Sequence, residues 1–148
     1  MFATGHKSGD IRLWSLTQQK IMHLIPNVHS EKIECVKFTE NSSQIVSVGR
    51  DHHIKITDLK SQKCLATLEH KDLFLPGHSC EFALSPNGMF LAIGSQSGNL
   101  FIFDMKKHKL AEIYEGEHDS PIVGCCWDPS HGSRIASIDE SGMLFVWE

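Results

Sequence analysis

Ser97-Gly-Asn-Leu-Phe-Ile-Phe103 is a small polar turn followed by an apolar run that ends on an aromatic ring, and the chain repeats it. Ser8-Gly-Asp-Ile-Arg-Leu-Trp14, Asp51-His-His-Ile-Lys-Ile-Thr57 and Ser141-Gly-Met-Leu-Phe-Val-Trp147 follow the same pattern, with Thr57 the one non-aromatic ending. The closing residues Trp14, Thr57, Phe103 and Trp147 lie 43, 46 and 44 residues apart. Around each copy the alternation of apolar and polar residues predicts short strands. Around Ser97–Phe103 these are Glu81–Ser85, Phe90–Gly94, Leu100–Met105 and Leu110–Tyr114, with Pro86-Asn87-Gly88 as a strong turn signal. Helical periodicity is absent over any useful length.

A period of about 40 to 45 residues with several short strands per unit is the pattern of a β-propeller blade, and the unit resembles the WD40 repeat. The expected fold is therefore all-β, a partial propeller of about 3.5 blades of four-stranded antiparallel sheet. Counting along the chain gives a blade remnant at 1–27, full blades at 28–69 and 77–116, and a last blade at 117–148 without its outer strand, fourteen strands in all. The WD40 pattern links a His before the first strand, a Ser or Thr in the second, an Asp in the following turn and a Trp closing the third. His29, Ser47 and Asp51 fit it in one blade, where Thr57 stands in place of Trp. His78 fits in the next, with Ile93, Ser97 and Phe103 elsewhere. His118, Ser137 and Trp147 fit in the last, with Ser141 where Asp is expected, and Thr4, Ser8 and Trp14 fit in the remnant. The resemblance implies that these residues form a structural hydrogen-bond network.

The bulk numbers exclude several classes. Fourteen basic and eighteen acidic side chains are interspersed, for a net charge of −4. No basic stripe is present to hold a phosphate backbone, so nucleic acid is not an expected partner. The longest apolar runs are far shorter than the roughly 20 residues that span a bilayer, and no charged leader precedes an apolar run. Five cysteines, an odd number, read as small buried apolar strand residues in a reducing compartment.

Sharper chemistry finds little support. Cys125 and Cys126 with His118 and His131 form the densest cluster of possible metal ligands, but adjacent strand residues point to opposite faces, and CxxC spacing is missing. His29, Ser47 and Asp51 have the composition of a hydrolytic triad, without a nucleophile elbow or oxyanion-hole motif. Gly94 to Gly98 has no strand–loop–helix context for phosphate binding. The expectation is a protein without catalytic residues, metal or cofactor.

Binding has more to work with. The turns between second and third strands carry Lys7, Arg50, Gln96 and Glu140, and Arg50 with His52 and His53 offers a basic spot for an acidic peptide. The connector Asp72-Leu73-Phe74-Leu75-Pro76-Gly77 is long and apolar for a blade loop. Its Leu73 and Phe74 are either a protein-binding anchor or, in the alternative, Phe74 folds back over the blade edge.

Three stretches are similar to the C-terminal propeller of the autophagy-related protein sixteen family, the scaffold of a lipid-conjugation complex. They are Arg50-Asp51 through Asp58-Leu59, Phe82-Ala-Leu-Ser-Pro-Asn-Gly88 with Ala92 through Leu100, and Glu117-His-Asp-Ser-Pro-Ile122 with Cys126-Trp-Asp-Pro129 and Trp147-Glu148. That resemblance implies a non-catalytic, cytoplasmic protein-binding scaffold. It would be recruited to autophagosomal or vacuolar membranes and help target lipidation of a ubiquitin-like modifier. Two alternatives remain open: a WD40 adaptor of an unrelated signalling or ubiquitin-ligase complex, and a half-propeller fragment needing a partner. In either case the open sheet edges are expected to need further blades or an oligomer to cover them.

Overall fold

The computed structural model describes residues 1–77, 80–130 and 132–148. His78 of the expected network and His131 of the possible metal cluster lie outside the described residues. Fourteen strands form among the described residues, in four antiparallel sheets each laid down in chain order. The first sheet comprises β1 (Phe2–Gly5), β2 (Ile11–Ser15) and β3 (Lys20–Ile25). The second comprises β4 (Ile33–Phe38), β5 (Gln44–Gly49), β6 (Ile54–Asp58) and β7 (Cys64–Leu68). The third is β8 (Phe82–Leu84), β9 (Phe90–Gly94), β10 (Leu100–Asp104) and β11 (Lys109–Tyr114). The fourth is β12 (Ile122–Trp127), β13 (Ile135–Asp139) and β14 (Leu144–Trp147). These meandering three- and four-stranded sheets are those of a partial propeller. Several strands begin or end one residue away from the expected bounds, and β8 is two residues shorter.

Residues group into two compact units, Met1–Thr67 and Leu68–Glu148. In the first, the side chains pointing from one sheet toward its neighbour are aliphatic. Ile11, Leu13 and Ile25 meet Ile33 and Ile45, with Val28 closing the cluster. In the second, Ala92, Leu100 and Ile102 meet Ile122 and Ile135. Each face follows from strand alternation: Ile11 and Leu13 point one way, and Arg12 and Trp14 the other. Full burial of one such aliphatic side chain contributes about 1.5–3 kcal/mol.

Position three of each turn between second and third strands bends the backbone to positive φ, 81° at Gly9, 61° at His52, 78° at Gly98 and 87° at Gly142. Three of the four are glycine because a Cβ disfavours this region, and His52 is the exception that carries one there.

The cysteines do not follow the expected pattern. Cys80 is buried but precedes β8, and Cys35 and Cys125 are half-buried. Cys64 and Cys126 are exposed: Cys64 lies on the outer strand of its sheet, and Cys126 faces away from the preceding sheet. Strand membership alone does not bury a residue whose face lacks a neighbour.

Candidate functional site

In the second sheet, His29 lies just before β4 and reaches across to β5 and its following turn. Its Nδ1 donates to the Asp51 carboxylate at 2.9 Å, and its Nε2 accepts from the Ser47 hydroxyl at 2.8 Å. Asp51 also accepts from the Ser30 and His53 backbone amides. In the fourth sheet, His118 Nδ1 donates to Asp139 at 2.8 Å and Nε2 accepts from Ser137 at 2.7 Å. There the Trp147 indole adds a donor to the Ser137 oxygen at 2.8 Å. The two sheets thus repeat one device that ties the chain entering a sheet to its second strand and the following turn, and in the fourth sheet Trp147 extends it to the third strand. In the first sheet a smaller version joins Trp14 Nε1 to Thr4 Oγ1 at 2.8 Å and Thr4 to His6 at 2.9 Å.

The carboxylate of the last blade corrects the expectation. Ser141 does not take the aspartate's part; Asp139 does, from two residues earlier, and the Ser141 hydroxyl donates to it at 2.6 Å. Both turn positions lie within reach of the histidine ring, so the acid can sit at either. Sequence showed the signal in Asp139-Glu-Ser-Gly142, a carboxylate opening the turn, but alignment of the repeats at Asp51 passed over it.

Asp, His and Ser in this order have the connectivity of a hydrolytic triad. The hydroxyls, however, are buried, Ser47 fully and Ser137 to 2% exposure, so no acyl group can approach them. They act as struts. Possible metal ligands are likewise engaged: His118 is held by Asp139 and Ser137, while Cys125 turns its thiol toward the Ala92 carbonyl and Cys126 lies on the opposite face of β12.

Where Thr57 replaces the tryptophan, its buried Oγ1 has no hydrogen-bond partner. An unsatisfied buried hydroxyl is costly. Thr57→Val is therefore expected to stabilise the protein by about 1 kcal/mol, read as a higher urea midpoint. An unchanged or lower midpoint contradicts this.

Burial pushes the His29 ring below its ordinary value of 6.5, and Asp51 only partly offsets that. Burial pushes the Asp51 carboxyl up, and the His29 ring with the Ser30 and His53 amides more than reverses it, leaving the group low. The Ser141 hydroxyl, with His118 and the Met143 amide, holds Asp139 at about 2 against 3.8 ordinarily. For His29 the unfolded chain takes up the proton first, so stability is full above 6.5 and falls as pH drops through it. For Asp139 stability is full above 3.8 and is lost as pH falls toward about 2. Urea midpoints should accordingly decline from about pH 8 to about pH 5 and again in strong acid. His29→Gln should flatten the first decline, and an equal decline in that variant contradicts the assignment.

The turn residues proposed for binding sit as follows. Lys7, Gln96 and Glu140 are exposed. Arg50 is not free to make a basic spot: its guanidinium pairs with Glu34 at 2.5 Å. His53 faces Asp51 at 3.7 Å, and His52 occupies the positive-φ corner of the same turn. In the connector, Leu73 is only 2% exposed and belongs to the core, as does Leu75. Phe74 between them is 54% exposed, so it neither folds back nor shares an anchor with Leu73.

Comparison with known sequences agrees with this architecture. The family model "WD domain, G-beta repeat" (WD40) matches residues 20–58 and 62–104, more than half of the chain. Each match starts at or just before the outer strand of one sheet and ends with the third strand of the next, β3 to β6 and β7 to β10. The sequence repeat is thus offset by one strand from the sheet. Autophagy-related protein 16 of Arabidopsis thaliana is 27% identical over 97% of this chain and 28% of its own length. Protein Atg16l2 of Mus musculus is 22% identical over 97% of this chain and 23% of its own. Pre-mRNA-processing factor 17 of Homo sapiens is 24% identical over 83% of this chain and 21% of its own. The chain spans about a quarter of the length of the relatives it matches. On the matched repeats and the sheets that carry them, the chain belongs to the WD40 (WD domain, G-beta repeat) family.

Proposed function

We propose that this chain is a non-catalytic protein-binding module of an autophagy scaffold, and that it helps direct lipidation of a ubiquitin-like modifier to membranes. The observation that carries the reading is the near-complete coverage of this chain by autophagy-related protein 16 and Protein Atg16l2. The structure is consistent with it in that the conspicuous polar cluster is a set of buried struts, while the turns and connector present exposed side chains of mixed chemistry. No helix among the described residues is long and apolar enough to cross a membrane, so recruitment through partner proteins is the reading we favour. Binding here is expected to run through Phe74 and the exposed turn residues, with the open sheet edges covered by further blades or a second copy.

A second reading, an adaptor in an unrelated complex, is favoured by the match to pre-mRNA-processing factor 17. Affinity purification of the endogenous tagged protein, with quantitative mass spectrometry, separates the two. Co-enrichment of the autophagy conjugation enzymes supports the first. Enrichment of splicing or other machinery without them overturns it.

A further inference from the structure

The connector and turns at one end of the Leu68–Glu148 unit are bolted together. The Gln96 amide donates to the Phe74 carbonyl at 2.7 Å, and the Ile122 amide to Ser95 at 3.1 Å. The Glu140 amide donates to Pro121 at 3.0 Å, and Gly98 packs directly against the His118 carbonyl. Residues 70–77, 95–99, 117–121 and 139–143 therefore share one surface. Phe74 is displayed on it by buried neighbours on both sides: Leu73 and Leu75 are each 2% exposed, and the His70 ring packs on Phe101 at 5.4 Å. Met143, at the far turn, is 54% exposed.

The charge around these two apolar groups is one-sided. Glu117, Asp119 and Glu140 are exposed. The sole exposed cation of these segments is Lys71, already 3.9 Å from the Asp72 carboxylate. Four exposed carboxylates thus face one ammonium. A rigid aromatic anchor within a polar rim is the anatomy of a protein interface, and presenting it on a tied-down loop lowers the ordering entropy lost on binding.

We propose that this surface docks a basic segment of a partner protein, one that carries lysine or arginine beside a large apolar side chain. Phe74 and Met143 receive the apolar residue, and Glu117, Asp119 and Glu140 receive the cations. An acidic peptide or a phosphate backbone would meet like charge. The inference rests on the protein-binding reading above and adds the chemistry of the partner.

The test is selection of a random peptide library on the purified full-length protein, at low and at high salt. Parallel selections use Phe74→Ala and the triple variant Glu117→Gln, Asp119→Asn, Glu140→Gln. All four side chains are exposed, and unchanged melting curves confirm that the variants fold. Expected are enriched peptides of net positive charge with one large apolar residue. Their enrichment should fall about tenfold or more on either variant and in high salt. Enriched peptides that are acidic or neutral, enrichment that survives both variants, or no enrichment over the triple variant would each overturn the proposal. Because the readout is peptide composition, it stands whether or not autophagy enzymes co-purify, and acidic peptides would sink the surface while leaving the scaffold reading intact.

Discussion

Gly98→Ala should destabilise the protein by about 3 kcal/mol or more. Two costs combine. The backbone there has φ 78°, where a Cβ carries a penalty of about 1–2 kcal/mol. The added methyl would also run into the His118 carbonyl oxygen, a backbone atom that cannot swing aside; forcing such an overlap costs about 1–3 kcal/mol. Gly142 is the internal control. It occupies the same turn position with φ 87°, but a Cβ there meets nothing within 4 Å. Gly142→Ala should therefore cost only the strain, about 1 kcal/mol. Urea denaturation of both variants gives the comparison, and equal losses would mean that the close packing of turn on loop contributes nothing.

His118→Ala is the second large effect, and the reason is what it leaves behind. Asp139 and Ser137 are both nearly sealed from water and both spend a hydrogen bond on the ring. Removing the imidazole opens a cavity between them and takes away the edge-on contact with Phe145, 4.6 Å between ring centroids. Stranded buried polar groups and lost packing together should cost about 3 kcal/mol. Exposed residues of the same loop, such as Asp119, should change stability by no more than about 0.5 kcal/mol when replaced by alanine. A His118→Ala protein as stable as the parent would show that the network is decoration rather than a strut.

These struts also mark how much was legible in the sequence. The sheets were, because each strand carries its own alternation and several turns carry Gly, Asn or Ser; Phe90–Gly94 falls where the pattern put it. His29, Ser47 and Asp51 stood out too, since the repeat puts one before the first strand, one on the second and one in the turn that follows. Asp139 was not, because two turn positions reach the same ring nitrogen and residue-by-residue alignment of repeats admits only one. Leu73, Phe74 and Leu75 look equivalent as letters. Only tertiary packing decides that the outer two are buried and the middle one is displayed. Arg50 shows the same limit for charge, because Glu34 stands sixteen residues away in sequence and 2.5 Å away in space.

We have proposed that residues 1–148 hold partners for a membrane-directed conjugation reaction. This is tested most directly by deleting those residues from the gene and measuring the lipidated ubiquitin-like modifier on membranes, beside a point variant, His118→Ala, that weakens the fold. A severalfold loss of membrane-bound modifier is expected in the deletion, restored by supplying the intact gene, with the point variant intermediate. Unchanged membrane-bound modifier in the deletion strain would contradict it.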